Sequence, residues 1–309
     1  MPGVFVGPDA NIPLADMGAG VTQVVGLLAD LALANGKIFV VEEPENDLHP
    51  AALRALLNLM TEAAQRNQFL VSTHSNLVLR QLGSLSESRI YQVDADQHGA
   101  WPPETHVTEV APEPEARSKV LIQLGYELRD FEFFDGWLFL EEASAEGLIR
   151  DFLIPWFVPG LAGRVRTIST RGASRIEPTF EDFNRLVLFT HLESRYRNRA
   201  WVLIDGDEEG REIVSSLQDT YGETWSQDHF RTFEESCFER YYPEQFQQQA
   251  TVALEEADPR RRRELKKALL EEVREWIQED PQRAKSAFAE SAAEVVDVLV
   301  EVEAELAST

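Results

Sequence analysis

The feature that most constrains this chain is an apolar run that stops on acids: Trp201-Val202-Leu203-Ile204, followed by Asp205-Gly206-Asp207. A continuous apolar stretch reads as a strand buried on both faces of a parallel sheet, and open α/β sheets place their ligands at the carboxyl ends of such strands. Side chains alternate along extended chain, so Asp205 and Asp207 point the same way and can share one hard divalent cation such as Mg²⁺. Gly206 lets the backbone turn tightly between them. The competing reading is a polar turn, because Asp and Gly are common loop residues. A second cluster shifts the balance. Trp137-Leu138-Phe139-Leu140 is another apolar strand that ends at Glu141, with Glu142 and Glu146 following as a helix begins. Two strands that both deliver acids to their carboxyl ends predict one metal site.

Strand-Glu followed later by strand-Asp-x-Asp resembles the Toprim domain of topoisomerases, primases and a class of nucleases. Leu140-Glu141-Glu142-Ala143-Ser144-Ala145-Glu146 stands where the nuclease branch has an apolar residue, Glu, Gly and then an acidic pair. Glu142 replaces the Gly and Ala145 replaces one acid, which leaves the second metal position open.

At 309 residues the chain has the length of two domains, and a hydrophobic fraction of 43% supports ordinary globular cores. A single cysteine, Cys237, excludes an internal disulfide framework and fits a reducing compartment. No apolar run approaches a membrane span and Met1-Pro2-Gly3 opens no signal peptide, so a soluble cytoplasmic protein is expected. The net charge of −25 argues against a general nucleic-acid coat, because phosphate backbones reward positive surfaces. Positive charge is local instead. Arg164, Arg166, Arg171 and Arg175 form one group, Arg195, Arg197 and Arg199 a second, and Arg260 to Arg263 a block. They read either as a basic rim on an acidic body or as solvated, scattered ion pairs.

The N-terminal third has its own order. Asp16-Met17-Gly18-Ala19-Gly20-Val21-Thr22-Gln23 leads into a helix carrying Val24, Val25, Leu28 and Leu31, which stops at Asn35-Gly36. Ile38-Phe39-Val40-Val41 reads as a buried strand ending in Glu42-Glu43-Pro44-Glu45-Asn46-Asp47-Leu48-His49-Pro50. Pro50 starts a helix with Leu53, Leu56, Leu57 and Met60. Phe69-Leu70-Val71-Ser72 is the next strand and ends at Thr73-His74-Ser75. This sequence of pieces resembles the second half of an SMC-like ABC ATPase head. By that resemblance Gly18, Gly20 and Gln23 belong to the signature motif, Glu42 helps hold Mg²⁺, and Glu43 polarises the attacking water. Asp47 falls in the D-loop region and His74 senses the γ-phosphate. No G-x-x-x-x-G-K-[ST] run occurs in the chain. It therefore resembles a head lacking its N-terminal lobe, by truncation, split gene or loss, and ATP is expected only if a second chain supplies that lobe.

Arg89 to Val93 and Thr105 to Val110 flank Asp96-Gln97-His98-Gly99-Ala100 as a hairpin at the sheet's edge. The domains are expected at 1–112 (C-terminal half of the ATPase head), 113–134 (linker helix) and 135–309 (Toprim). The last carries strands at Val165–Ile168, Trp201–Ile204 and Phe230–Phe233. One C-terminal helix carries Leu265, Leu269, Val273 and Trp276, and another carries Phe288, Val295, Val296, Leu299 and Val302. The fold class is α/β: a partial ABC ATPase head followed by a Rossmann-like Toprim domain with C-terminal helices.

ABC head followed by Toprim resembles the OLD (overcoming lysogenization defect) family of nucleases, to which the nuclease subunit of the Gabija anti-phage system is similar. The resemblance implies a metal-dependent DNA endonuclease acting in anti-phage defence or DNA processing. Glu141, Asp205 and Asp207 would bind the main Mg²⁺ or Mn²⁺, and Glu146 with Glu239 a second ion. Lys285, in Ala284-Lys285-Ser286-Ala287, would stabilise the pentacovalent charge, and Arg171 and Arg175 would position DNA. A homodimer or larger homo-oligomer is implied, with no membrane partner. Two alternatives stay open: a topoisomerase- or primase-like enzyme, which needs a nucleophilic tyrosine on another element whereas Tyr241 and Tyr242 resemble a packing motif, and a catalytically inactive interaction module.

Overall fold

Both acid-tipped strands form as expected, and one half of the chain is built around them. The computed structural model describes residues 3–7, 10–13, 19–95, 104–125 and 134–308. It divides into two compact units: Met1–Leu128 with Arg185–Leu192, and Arg129–Asn184 with Glu193–Thr309. The fold is mixed α/β.

In the first unit β1 (Gly3–Gly7) pairs antiparallel with β2 (Ala10–Pro13). The helix α1 (Ala19–Leu33) then leads to β3 (Ile38–Glu42), α2 (Pro50–Ala64), β4 (Gln68–Ser72) and α3 (Asn76–Gly83). Strands β3 and β4 are parallel and in register from Ile38↔Gln68 to Glu42↔Ser72. Pro50 opens α2 where its missing N–H costs nothing, and His49 Nδ1 accepts the Ala51 N–H at 3.3 Å. Leu53, Leu56, Leu57 and Met60 recur at helical spacing and meet Leu31, Val41 and Val78 in a core. Phe39 and Phe69 stack beneath it, centroids 5.2 Å apart.

Two expectations change here. The Ile38–Val41 run reads as buried on both faces, yet Val40 is 72% and Leu70 54% exposed; among the described residues only the Phe39/Val41 face of this pair is covered. The hairpin of β5 (Tyr91–Ala95) and β6 (Thr105–Glu109) pairs with itself as a separate antiparallel sheet rather than extending the edge of another. Its turn at 96–100 lies outside the described residues, as does Gly18. A helix, α4 (Pro114–Gln123), forms within the expected linker and groups with the first unit, while residues 126–133 lie outside the described residues.

The second unit holds a four-stranded parallel sheet in the order β10-β9-β7-β8. These strands are β7 (Gly136–Leu140), β8 (Val165–Ser169), β9 (Ala200–Ile204) and β10 (Phe230–Thr232). Every residue of β7 and β9 is buried, which is why both read as unbroken apolar runs. Leu138, Leu140, Trp201 and Leu203 face the core of the C-terminal helices α9 (Gln247–Glu255), α10 (Pro259–Glu279), α11 (Pro281–Ser291) and α12 (Ala293–Ala307). On the other side Trp137 and Phe139 meet Phe180 and Phe183 of α7 (Ile176–Phe189). After β7 the chain enters α5 (Ala143–Leu148), a π-helical turn (Ile149–Leu153) and α6 (Ile154–Phe157); after β9 it enters α8 (Glu208–Tyr221).

Candidate functional site: a carboxylate cluster at the sheet switch point

From β7 the chain moves to β8 on one side and then returns to β9 on the other, so the strand order reverses between β7 and β9. That reversal opens a crevice beyond the carboxyl ends of the two strands, the general ligand position of open α/β sheets. Glu141 leaves β7 there and Asp205 leaves β9. In-register pairing of Leu140 with Leu203 brings them together, and the Glu141 side chain takes a hydrogen bond from the Asp205 backbone.

The loops seal this edge. Thr170 N–H donates to Leu140 O at 2.9 Å and Gly172 N–H to Glu141 O at 3.0 Å, fixing the loop after β8 beside Glu141. Arg171 sits in that loop with φ of 61° and, like Arg175, is exposed. Gly206 N–H donates to Glu235 O at 2.8 Å, and a Cβ at Gly206 would collide with the carbonyl oxygen of Phe233. Close passage of the 233–235 backbone, rather than a tight turn, is what requires glycine here. That segment is clamped from α12: Glu294 accepts Glu234 N–H at 2.8 Å and the Tyr241 hydroxyl, which itself accepts Glu235 N–H.

The clamped loop delivers Glu239, which is 0% exposed. Opposite it, α10 projects Lys266, whose Nζ lies 2.6 and 2.8 Å from the Glu142 oxygens and 3.0 Å from Glu239 Oε1. Glu142, where the Toprim pattern has glycine, is thus the main partner of a half-buried lysine. Burial pushes Asp205 up to about 8, helped by Glu141 and Glu142 and opposed by Lys266. Burial likewise pushes Glu141 up to about 7 against the hydrogen bond from Asp205, with Glu142 and Asp207 adding to the rise. Glu239 is raised by burial while Lys266 pulls it back. Burial lowers the Lys266 ammonium, but Glu239 and Glu142 outweigh it and hold it above its ordinary value. Glu141 Oε2 and Glu239 Oε2 are buried with no hydrogen-bond partner among the described residues.

This arrangement has more carboxyl groups than positive charges and only oxygen donors, which fits a hard divalent cation in donor type and charge. Among the described residues no three His, Cys, Asp or Glu side chains converge tightly enough to enclose one. The fit is therefore one of chemistry, with the carboxylates still apart.

Not every predicted residue joins them. Asp207 caps α8, its Oδ1 accepting Gly210 N–H at 2.7 Å, so one of its oxygens is already committed. Glu146 takes Arg150 at 2.5 Å and the Thr167 hydroxyl at 2.6 Å. Lys285 lies over the Phe157 ring, 5.4 Å from its centroid; the lysine among the carboxylates is Lys266. Tyr241 and Tyr242 are core residues, with the Tyr241 hydroxyl donated to Glu294, which denies the strand-transfer alternative its exposed nucleophile. Sequence reading missed Lys266 and the role of Glu142. A signal existed: Lys266 lies three and seven residues before Leu269 and Val273, on the buried stripe of α10.

In the first unit Glu42 ends β3, and Glu43 follows with φ of 43°. His74 Nε2 lies 3.7 Å from Glu43 Oε1, and Asn46 Nδ2 donates to Glu43 Oε2 at 2.6 Å. The ends of β3 and β4 therefore bring together Glu43 and His74. Asp47 is exposed with φ of 57°, and Gly20 and Gln23 lie in α1.

Residues 3–80 match the family model described as "AAA domain, putative AbiEii toxin, Type IV TA system". The N-terminal region is ATPase-like. The match covers less than half of the chain and includes Glu42, Glu43, Asp47 and His74. A solved structure from work on ATP-driven dimerization and DNA-stimulated activation of SMC ATPases aligns with 39% of this chain and 69% of its own, at 15% identity and a TM-score of 0.29. That likeness is too slight to carry an argument. No curated protein matches the chain. Among the described residues no helix is long and apolar enough to cross a membrane.

Proposed function

We propose that this chain is a metal-dependent DNA endonuclease of the OLD type: a Toprim-like domain at 135–309, joined through 113–134 to the C-terminal half of an ABC-type ATPase head at 1–112. The observation that carries the reading is the meeting of half-buried Glu141 and buried Asp205 at the β7/β9 switch point, short of positive charge. Glu141, Asp205 and the free oxygen of Asp207 would hold Mg²⁺ or Mn²⁺. A divalent ion supplies activation of water for in-line attack and neutralises the leaving oxygen of a phosphodiester.

The chain's own residues do the rest. Lys266, fixed by Glu142 and Glu239, takes the charge-stabilising role that the family resemblance gave to Lys285. Arg171 and Arg175 stand exposed on the loop tied to Glu141 and would position the DNA backbone. Exposed Arg262 and Arg263 precede Lys266 by four and three residues on α10, extending positive charge along the same helix face. Glu294 and Tyr241 hold the Glu239 loop in place. DNA is the partner, in a cytoplasmic setting of anti-phage defence or DNA processing, with a homodimer or larger assembly. ATP would bind once a second polypeptide supplies the P-loop lobe, Glu43 and His74 then serving the composite site.

One observation favours a second reading, a non-catalytic module: among the described residues no three carboxylates converge. Hydrolysis of bis(p-nitrophenyl) phosphate separates the two. Mn²⁺-dependent release of nitrophenolate that Glu141→Gln abolishes supports the nuclease. A folded chain that releases none at any Mn²⁺ concentration supports the module.

A further inference from the structure

The acids assigned to a second metal ion already face positive charges from the chain itself. Glu146 holds Arg150 and the Thr167 hydroxyl, and Glu239 holds Lys266. Lys266 also spans both oxygens of Glu142, so its ammonium sits between two carboxylates that come from β7's end and from the 234–241 loop. Glu239 is 0% exposed and its Oε2 has no partner among the described residues, so the ammonium beside its Oε1 is the positive charge that offsets its burial. The cation present is the ammonium. By contrast, Glu141 Oε2 and the Asp205 carboxylate have no lysine or arginine at ion-pair distance among the described residues.

We propose that Lys266 occupies the second-cation position, so that this site takes one divalent ion, at Glu141 and Asp205, rather than two. The inference rests on the metal-dependent reading above and deepens it. A dication placed between Glu142 and Glu239 would have to displace an ammonium that makes three close contacts, and like charges a few ångströms apart repel strongly in a buried site. Glu142 explains how the substitution is tolerated: the acid that stands in the glycine position of the nuclease pattern supplies the second half of the lysine's cradle.

The test is the number of ions bound, read by calorimetry and by the electron paramagnetic resonance of free Mn²⁺ on the metal-stripped chain, in salt that screens its acidic surface. The wild type is expected to bind one Mn²⁺, and Asp205→Asn to lose it. Lys266→Met is expected to bind two, and Lys266→Arg to return to one. If Lys266→Met fails to fold, the wild-type count still decides. Two ions in the wild type, both weakened by Asp205→Asn, would overturn this inference and leave the nuclease reading standing. Binding indifferent to Asp205→Asn, or none, would overturn the metal-site reading and this inference with it.

Discussion

Asp205 stands at the end of a strand in which every residue is buried, and that placement has a pH signature. Its folded-state pKa is raised to about 8 by burial first and then by Glu141, and that of Glu141 is raised to about 7, again mainly by burial. A carboxyl that holds its proton more tightly when folded makes unfolding release protons, so stability falls as pH rises between the unfolded and folded values. The metal-free chain is therefore predicted to lose melting temperature steadily from about pH 5 to about pH 8. Asp205→Asn should flatten that slope. An equal slope in the variant, measured by circular dichroism in the presence of chelator, would contradict the assignment. Gly206 gives a second residue-level prediction. Because a Cβ there meets the Phe233 carbonyl, Gly206→Ala should cost about 1–3 kcal/mol in denaturant unfolding, and an unchanged midpoint would refute the close approach.

At the level of elements, α10 shows what a sequence reveals and what it hides. Strands β7 and β9 were legible because burial on both faces leaves an uninterrupted apolar run, and the acids that end them were legible for the same reason. Lys266 was not. It lies far along the chain from those strands, on a helix whose buried stripe is Leu269, Val273 and Ile277. Trp276 packs against that core as its spacing implies, and Lys266 shares the stripe without adding to its apolar pattern. Lys285 drew attention through a local family pattern, and packing puts it over Phe157 instead. The two lysines are predicted to behave differently. Lys266→Ala strands Glu142 and Glu239 and should cost about 3–5 kcal/mol while abolishing phosphodiester hydrolysis. Lys285→Ala should leave hydrolysis near the wild-type rate. Equal losses of hydrolysis in the two folded variants would contradict the exchange of roles. Strands β3 and β4 mark another limit of sequence reading: their runs imply cover on both faces, while Val40 and Leu70 stand exposed. An apolar run records the need for burial, not which segment supplies it.

On the scale of the whole molecule, the two units differ in what the chain supplies to each site. The first gathers Glu43 and His74 at the ends of a parallel strand pair within an ATPase-like region, yet the chain contains no P-loop to hold phosphates. It is predicted to release no phosphate from ATP on its own, and turnover that Glu43→Gln abolishes would contradict this. The second unit has its sheet, its switch point and its cluster of acids around Lys266, so its chemistry should not require nucleotide. The most direct measurement is nicking of supercoiled plasmid by this chain with Mg²⁺ or Mn²⁺ and without ATP, beside Asp205→Ala and Glu141→Ala. The account predicts open-circular product from the wild type and none from either variant. A folded wild type that leaves the plasmid supercoiled at every metal concentration, or variants that nick as well as it does, would contradict the claim that the β7/β9 switch point is a nuclease site.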